Sequence, residues 1–434
     1  MRRDAHGLPL SAASATAAET YDRAVTALLG WEDQALGLFQ TAAAHDPGLA
    51  LAHAGVGVCL FFDERFAEAR AALETARAAA AGVTERERGH VEALAHLVGG
   101  RLPDAERTMR AHLAAFPRDL VVAQRLYFIW FWQGRFPEML ELTSTLLPHS
   151  PETSFLLGLH AFALEEHDRF PEAMRAAEAA IARNPRDAWA VHALAHGLYE
   201  TGTFDAGLSR LPAAIHPCRG LGWFRGHLLW HLALLHLAAG DYARADRLAR
   251  SVFERAPSSL AGELHDSISL LWRLELCGIP VGERWRPFVE IARQRLDRQG
   301  LLFHVVHLGM ALAAGGDWAT ADRQLARLRE RTARDPAGLT AGLAVPLIEG
   351  CHAFAAGDYR RTIERIEPLG PRIRELGGSR AQRDVFHDTL LEACFRAGEV
   401  ARAERLLAER LSRRPDHFWV TRRAAGATLA EREE

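Results

Sequence analysis

The sequence predicts an all-α chain of tandem helix pairs, a helical-repeat solenoid running as one continuous domain over residues 1–434. Three observations predict it. A phrase recurs in which a turn residue precedes an aromatic or leucine, then a charge, then an amphipathic helix that commonly ends at a proline. The residues at the aromatic position, Leu102, Phe136, Phe170 and Phe204, follow one another at intervals of 34 residues. No stretch of period two competes with this pattern.

Taken in order, a first copy lies around Trp31 and a second around Phe66. The clear copies are GRLPDAERTM with Pro117, GRFPEMLEL with Pro148, DRFPEAMRAAEAAIARNP and GTFDAGL. Then come GDYARADRLARSVFERAP, GDWATADRQLARL, GDYRRTIERI and GEVARAERLLAERLSRRP. Tyr242 follows Phe204 by 38 residues, Trp318 follows by 76 (two units), and Tyr359 and Val400 follow by 41 each. Each unit reads as a first helix, a tight Gly-Asp or Gly-Arg turn, and a second helix. Ala173, Ala176 and Ala245 are small enough to let the two helices approach closely. The 34-residue spacing is the tetratricopeptide period. It is clearest over about 84–220 and degenerate over about 221–420, giving about ten helix pairs.

Composition bounds the chemistry. With 434 residues, 49% hydrophobic and 25% charged, the chain can bury a large core. A net charge of −3 gives no drive toward nucleic acid or anionic membrane. All 52 basic residues are arginine, which excludes a Schiff-base lysine, pyridoxal phosphate held by one, and a nucleotide-binding P-loop lysine. Five scattered cysteines without a CxxC pair read as buried thiols in a reducing compartment. The longest apolar stretch, Leu228 to Ala239, is too short to span a membrane and carries His231 and His236. With no apolar leader at the N-terminus, the expectation is a cytoplasmic protein.

Several blocks carry a further likeness: GLPLS (7–11), DAWAVHALAH (187–196), HLLWH (227–231), DSISLLWRLELCGIPVGERW (266–285), LLFHVVHLGMA (301–311) and GGSRAQRDVF (377–386). Together they resemble the tetratricopeptide repeat protein 38 family, in order and over essentially the full chain. The resemblance implies a closed, specialised superhelix and assigns no activity. Some members of that family carry other residues at the positions of His304 and His387, which favours His307 and Asp384 as candidates.

Of the 21 histidines, 14 fall on the first helix of a pair: His53, His90, His96, His160, His192, His196, His227, His231, His236, His265, His304, His307, His352 and His387. In a tetratricopeptide superhelix those helices line the concave face, so the expectation is a His-lined pocket. His192 and His196 are four residues apart, as are His227 and His231, which places each pair on one helix face. Such pairs suit a transition metal such as Zn, Fe or Cu. His192, His196, His227 and His231 are therefore the candidate metal ligands. His192, His196, His231 and Asp384 are the candidate catalytic groups, and His90, His227, Asp266, His307 and Arg383 the candidate ligand-binding groups. The zincin pattern is absent, since His192-Ala193-Leu194-Ala195-His196 lacks the glutamate. A neutral imidazole near its ordinary pKa does acid–base work without metal, and satisfied core histidines are an equally open reading. In GGSRAQRDVF, Ser379 is a candidate N-cap, and the helix start with Arg383 would suit a carboxylate or phosphate. An inter-repeat ion pair of Arg383 and Asp384 is the alternative. Trp189, Trp223, Trp230, Trp272 and Trp285 read mainly as packing residues.

Other signals fail. Gly55-Val56-Gly57 lies within a helix and lacks the third glycine of a dinucleotide loop. Arginines on the second helices alternate with acids, as on a solvated face. A carboxylate clamp for chaperone tails uses Lys and Asn, and Asn184 is the lone asparagine. Two functions remain: a pocket binding a polar small molecule, metal-assisted or acid–base, or a scaffold recognising a peptide or helix in its groove; a protein partner or a homo-oligomer is the accompanying expectation.

Overall fold

The computed structural model describes residues 2–298, 300–332, 338–414 and 417. Among them are 22 α-helices in eleven consecutive pairs. The first six pairs are α1 (Ala15–Leu29) with α2 (Ala35–His45), α3 (Ala50–Phe62) with α4 (Phe66–Ala79), α5 (Glu85–Val98) with α6 (Leu102–Ala115), α7 (Leu120–Phe131) with α8 (Phe136–Leu146), α9 (Ser154–Glu165) with α10 (Phe170–Arg183), and α11 (Ala188–Glu200) with α12 (Phe204–Ile215). The remaining five are α13 (Trp223–Ala238) with α14 (Tyr242–Leu248), α15 (Ala261–Leu276) with α16 (Arg286–Arg295), α17 (Leu302–Ala314) with α18 (Trp318–Thr332), α19 (Val345–Ala355) with α20 (Tyr359–Ile366), and α21 (Arg380–Arg396) with α22 (Val400–Arg413). The fold is the all-α helical-repeat class of tetratricopeptide type. A two-residue antiparallel ladder, β1 (Arg2–Arg3) on β2 (Pro9–Leu10), precedes it. That ladder is too short for a period-two pattern to announce.

The repeated phrase has a physical basis. Every residue at the aromatic position opens the second helix of its pair: Phe66, Leu102, Phe136, Phe170, Phe204, Tyr242, Trp318, Tyr359 and Val400. The residue two positions earlier has a positive φ, as at Gly100 (74°), Gly240 (78°), Gly316 (74°) and Gly398 (73°). It closes the first helix in the double hydrogen bond of a Schellman motif. Gly100 N–H donates to Leu97 O and Arg101 N–H to His96 O, both at 3.0 Å, and the same pair of bonds recurs at Gly240 and Asp241. Glycine is favoured there because a Cβ strains a left-handed backbone. Three units do without it, using Trp31 (62°), Glu64 (58°) and Asp168 (60°).

Small residues set the helix spacing. A Cβ on Gly57 would come within 1.7 Å of Leu73, and one on Gly55 within 2.4 Å of Phe39. Those glycines therefore serve close packing of α3. Ala173 and Ala245 are fully buried, as expected; the third contact on α10 falls to Ala177, while Ala176 stays partly exposed. The reason is register, since Ala177 lies four residues after Ala173 on the same face.

By contact density the chain forms two compact units. One comprises Met1–Phe131, Phe136–Leu194 and Ala214–Phe224; the other comprises Trp132–Arg135, Ala195–Ala213 and Arg225–Glu434. All 12 residues of α7 in the first unit are buried, as are 12 of 16 in α15 in the second. These first helices are surrounded, which an amphipathic surface helix would not be. Among the described residues no helix is long and apolar enough to cross a membrane.

Candidate functional site

All 14 histidines assigned to first helices do lie on them. Their environment differs from the expectation. A pocket-lining imidazole meets solvent, whereas His196, His231, His307 and Asp266 are at most 1% exposed.

In the second unit these groups form one chain of contacts. His227 on α13 donates through Nδ1–H to Asp266 Oδ2 on α15 at 2.7 Å, and its ring stacks on Trp230 at 5.6 Å. Its other side meets His231 (4.9 Å between centroids), which in turn meets His196 on α11 (4.5 Å). A loop fixes the opposite end. Gly377 and Gly378 have φ of 76° and 77°, and a Cβ on Gly377 would strike the Trp132 carbonyl at 2.6 Å. From there Ser379 caps α21 with Gln382 in a reciprocal capping box. The Ser379 N–H donates to Gln382 Oε1 at 2.9 Å, so the Gln382 amide nitrogen points the other way, 2.7 Å from His265 Nε2. His265 Nε2 also lies 3.2 Å from Asp266 Oδ1, and its Nδ1 lies 3.0 Å from His304 Nδ1. His307 donates from Nδ1 to Phe303 O at 2.8 Å and borders His265 at 5.7 Å.

The electrostatics follow from burial and neighbours. Burial, reinforced by His227 and nearby arginines, pulls His196 well below the ordinary histidine value. Burial with His196 and His227 does the same to His231, and burial with His265 brings His307 to about 3. Burial pushes the Asp266 carboxyl up, but the His227 and His265 imidazoles outweigh it and hold it well below the carboxylate range.

Asp384 and Arg383, expected to act on a ligand, are already occupied. Arg383 turns back and donates to the Gly378 carbonyl. Asp384 lies 2.7 Å from Arg414 Nη1 and 3.7 Å from Arg410 Nη1. Arg414 also holds Glu200 at 2.7 Å, and Arg410 holds Asp388 at 2.8 Å. Burial raises Asp384, but Arg414 and Arg410 overcome it and keep the carboxyl ionised. This is the ion-pair alternative, with Arg410 and Arg414 as the partners in place of Arg383. Sequence reasoning missed those two because α22 reads as a solvated face; their four-residue spacing was the available signal.

His90 and His192 belong to the first unit's segments. His192 packs on Trp189 (4.4 Å) and Phe162 (5.2 Å), one turn before His196 on α11. His90 Nδ1 and His112 Nε2 both reach Asp119 Oδ2, at 2.9 and 3.0 Å. Arg86 Nε donates to that same oxygen at 3.0 Å and also pairs with Asp4. A cation there would sit against a guanidinium, so this spacing of two histidines and an aspartate is a hydrogen-bonded ion network rather than a metal site. His112 and Asp119, on a second helix and a turn, went unnoticed in the sequence. A surface depression of about 540 Å³ between Leu10–Ala12 and Gly82–Thr84 is lined by none of the candidates.

Comparison with known proteins adds little beyond this. No family model matches the chain. It is similar to the solved structure of Rap protein complexed with competence and sporulation factor, at 12% identity over 87% of this chain and 99% of that one, TM-score 0.44. It is similar also to Naa15/Naa10 bound to HypK-THB (14%; 96% and 66%; 0.25) and to the P58(IPK) TPR domain (13%; 89% and 99%; 0.21).

Proposed function

We propose that this chain is an interaction scaffold of the tetratricopeptide type, akin to the tetratricopeptide repeat protein 38 family, and that its His–Asp–Gln and Arg–Asp networks are internal fastenings. One observation carries this reading: the candidate acids and bases are withdrawn from solvent and engaged with one another. A general acid or base must reach a substrate proton with a pKa near the working pH; Asp384 is clamped and His307 titrates near 3.

Recognition would fall on the turn edge of the repeats. Trp318 is 40% exposed and Val400 39%, with Tyr359 of the intervening repeat partly exposed. All three open a second helix, so three successive units of the second unit offer an apolar anchor at the same position. A protein partner, or a second copy of the chain, docking there loses affinity in Trp318→Asp/Val400→Asp while the melting temperature stays within about 2 °C, as for surface changes. Affinity capture from the native cell extract, with gel filtration for self-association, reads this directly. A partner set and oligomeric state identical for wild type and variant would defeat the edge reading.

A metal-assisted reading rests on a separate observation. The ligand nitrogens of His196 and His231 lie within 4.8 Å of each other, on neutral imidazoles, with His192 one turn earlier on α11. If they hold a transition metal, mass-spectrometric metal analysis of tag-free protein finds near-stoichiometric metal that vanishes in His196→Ala/His231→Ala. Metal-free folded protein, after incubation with Zn²⁺ and desalting, rejects that reading.

A further inference from the structure

The first unit buries a positive charge with no negative partner beside it among the described residues. Arg125 on α7 is 2% exposed. Its Nη2 donates to Gln124 Oε1, while Nε and Nη1 find no hydrogen-bond partner among the described residues. Among the described residues the titratable group bearing on it is the Cys59 thiol, itself pushed by burial up to about 12 and so neutral. Burial pulls Arg125 down to about 9, which still leaves it cationic at neutral pH. An isolated buried cation is unfavourable unless something compensates it, and here the protein supplies aromatic faces. The guanidinium carbon lies 4.4 Å from the Phe62 centroid and 5.7 Å from that of Phe128.

Those rings belong to a larger cluster. Trp31 meets Phe128 at 5.3 Å, Phe62 at 6.3 Å, Trp189 at 5.7 Å and Phe224 at 4.8 Å. The indole N–H groups of Trp31 and Trp189 are also buried without a hydrogen-bond partner among the described residues. Three donor side chains in one aromatic cluster thus have unused hydrogens. Trp31 is unusual besides: it occupies the left-handed turn position that glycine fills in most repeats, with φ of 62°. A bulky residue held there bears strain, which calls for a reason beyond the fold. Phe62, Trp31 and Trp223 are partly exposed, so the cluster reaches the surface.

We infer that Arg125, together with the Trp31 and Trp189 indole N–H groups, binds the carboxylate of an aromatic acid. A single guanidinium cation matches the charge of a monoanionic carboxylate; a phosphate dianion would leave one charge unmatched. The surrounding rings suit a flat apolar remainder. A free aromatic acid and the C-terminal aromatic residue of a peptide share this chemistry. The inference stands independently of the scaffold reading, whose edge residues it does not use.

The test is calorimetric titration of the full chain with phenylacetate and with a short peptide ending in Phe, each beside its uncharged amide. The expected result is saturable binding of one or both carboxylates, at least 10-fold weaker for the amides, with a raised melting temperature. The stronger of the two identifies the source. Arg125→Met keeps volume, melts at or above the wild-type temperature because a lone buried charge is gone, and binds at least 10-fold more weakly. Trp31→Phe keeps the ring, removes one N–H and weakens binding several-fold; it decides the matter should Arg125→Met fail to fold. Neither carboxylate binding at roughly 10 mM, or Arg125→Met and Trp31→Phe binding as wild type does, overturns the inference.

Discussion

Between pH 7.5 and pH 5 the protein is expected to lose stability, with histidines rather than carboxylates as the cause. His196, His231 and His304 are held well below the ordinary value of about 6.5, and His307 near 3, burial being the leading cause in each. A folded value below the unfolded one means the unfolded chain takes up the proton first. Stability is therefore full above about pH 6.5 and falls as pH drops toward the folded value. For His307 alone the loss at pH 5 is about 2 kcal/mol. His196, His231 and His304 shift in the same direction and add to that loss. Urea midpoints at pH 7.5, 6.5, 5.5 and 5 measure this. A midpoint that holds steady across that series would mean that the imidazoles are already protonated or solvated in the native state. The Asp266 and Asp384 carboxylates, whose folded values are depressed, act in a lower window. Their stabilisation is present above about pH 4 and disappears only as pH falls through their folded values.

Removing Arg414 is the mutation with the largest expected effect. Its guanidinium holds Glu200 through both carboxylate oxygens at 2.7 Å and Asp384 at 2.7 Å, and it lies 4.3 Å from the Tyr199 ring. Both carboxylates are buried, at 1% and 6% exposure. Arg414→Met leaves two buried negative charges with Arg410 as their nearest help, at a cost of about 3–5 kcal/mol. The double variant Arg414→Met/Glu200→Gln removes one of those charges and should recover part of the loss, as a coupling energy in a double-mutant cycle of denaturation midpoints. If the single and double variants are equally unstable, Arg414 acts by packing and the ion pair contributes nothing.

How much of this was legible beforehand divides along physical lines. Periodicity is written locally, so the spacing from Leu102 to Phe204 placed helix starts to the residue, and Gly-Asp placed the turns. The capping role of Ser379 was legible for the same reason, since a cap is settled within four residues. Which histidines meet, and whether they face water, depends on helices far apart in sequence. The pairing of His227 with Asp266, 39 residues away, has no local trace. Arg410 and Arg414 looked like solvent-facing charges because the surrounding pattern was polar; only the packing of α22 onto α21 buries them. Arg125, inside the run LVVAQRLYFIWF, was the most legible of the missed residues, since a charge amid eleven mostly apolar neighbours must be compensated by something.

The Schellman turns make the helix hairpin, rather than the single helix, the indivisible piece of this chain. Seven of the eleven hairpins join their helices through three residues, whereas the links from one hairpin to the next run from four residues, as at 46–49, to thirteen at 367–379. Length drift from 34 to 41 residues has thus been absorbed in the links and in helix lengths, as in the 17 residues of α21 against the 12 of α7, rather than in most of the turns. Anyone shortening, lengthening or splicing this protein should cut in the links, where a whole hairpin leaves or enters as a cassette; a cut at a turn would strip both its helices of their shared terminus.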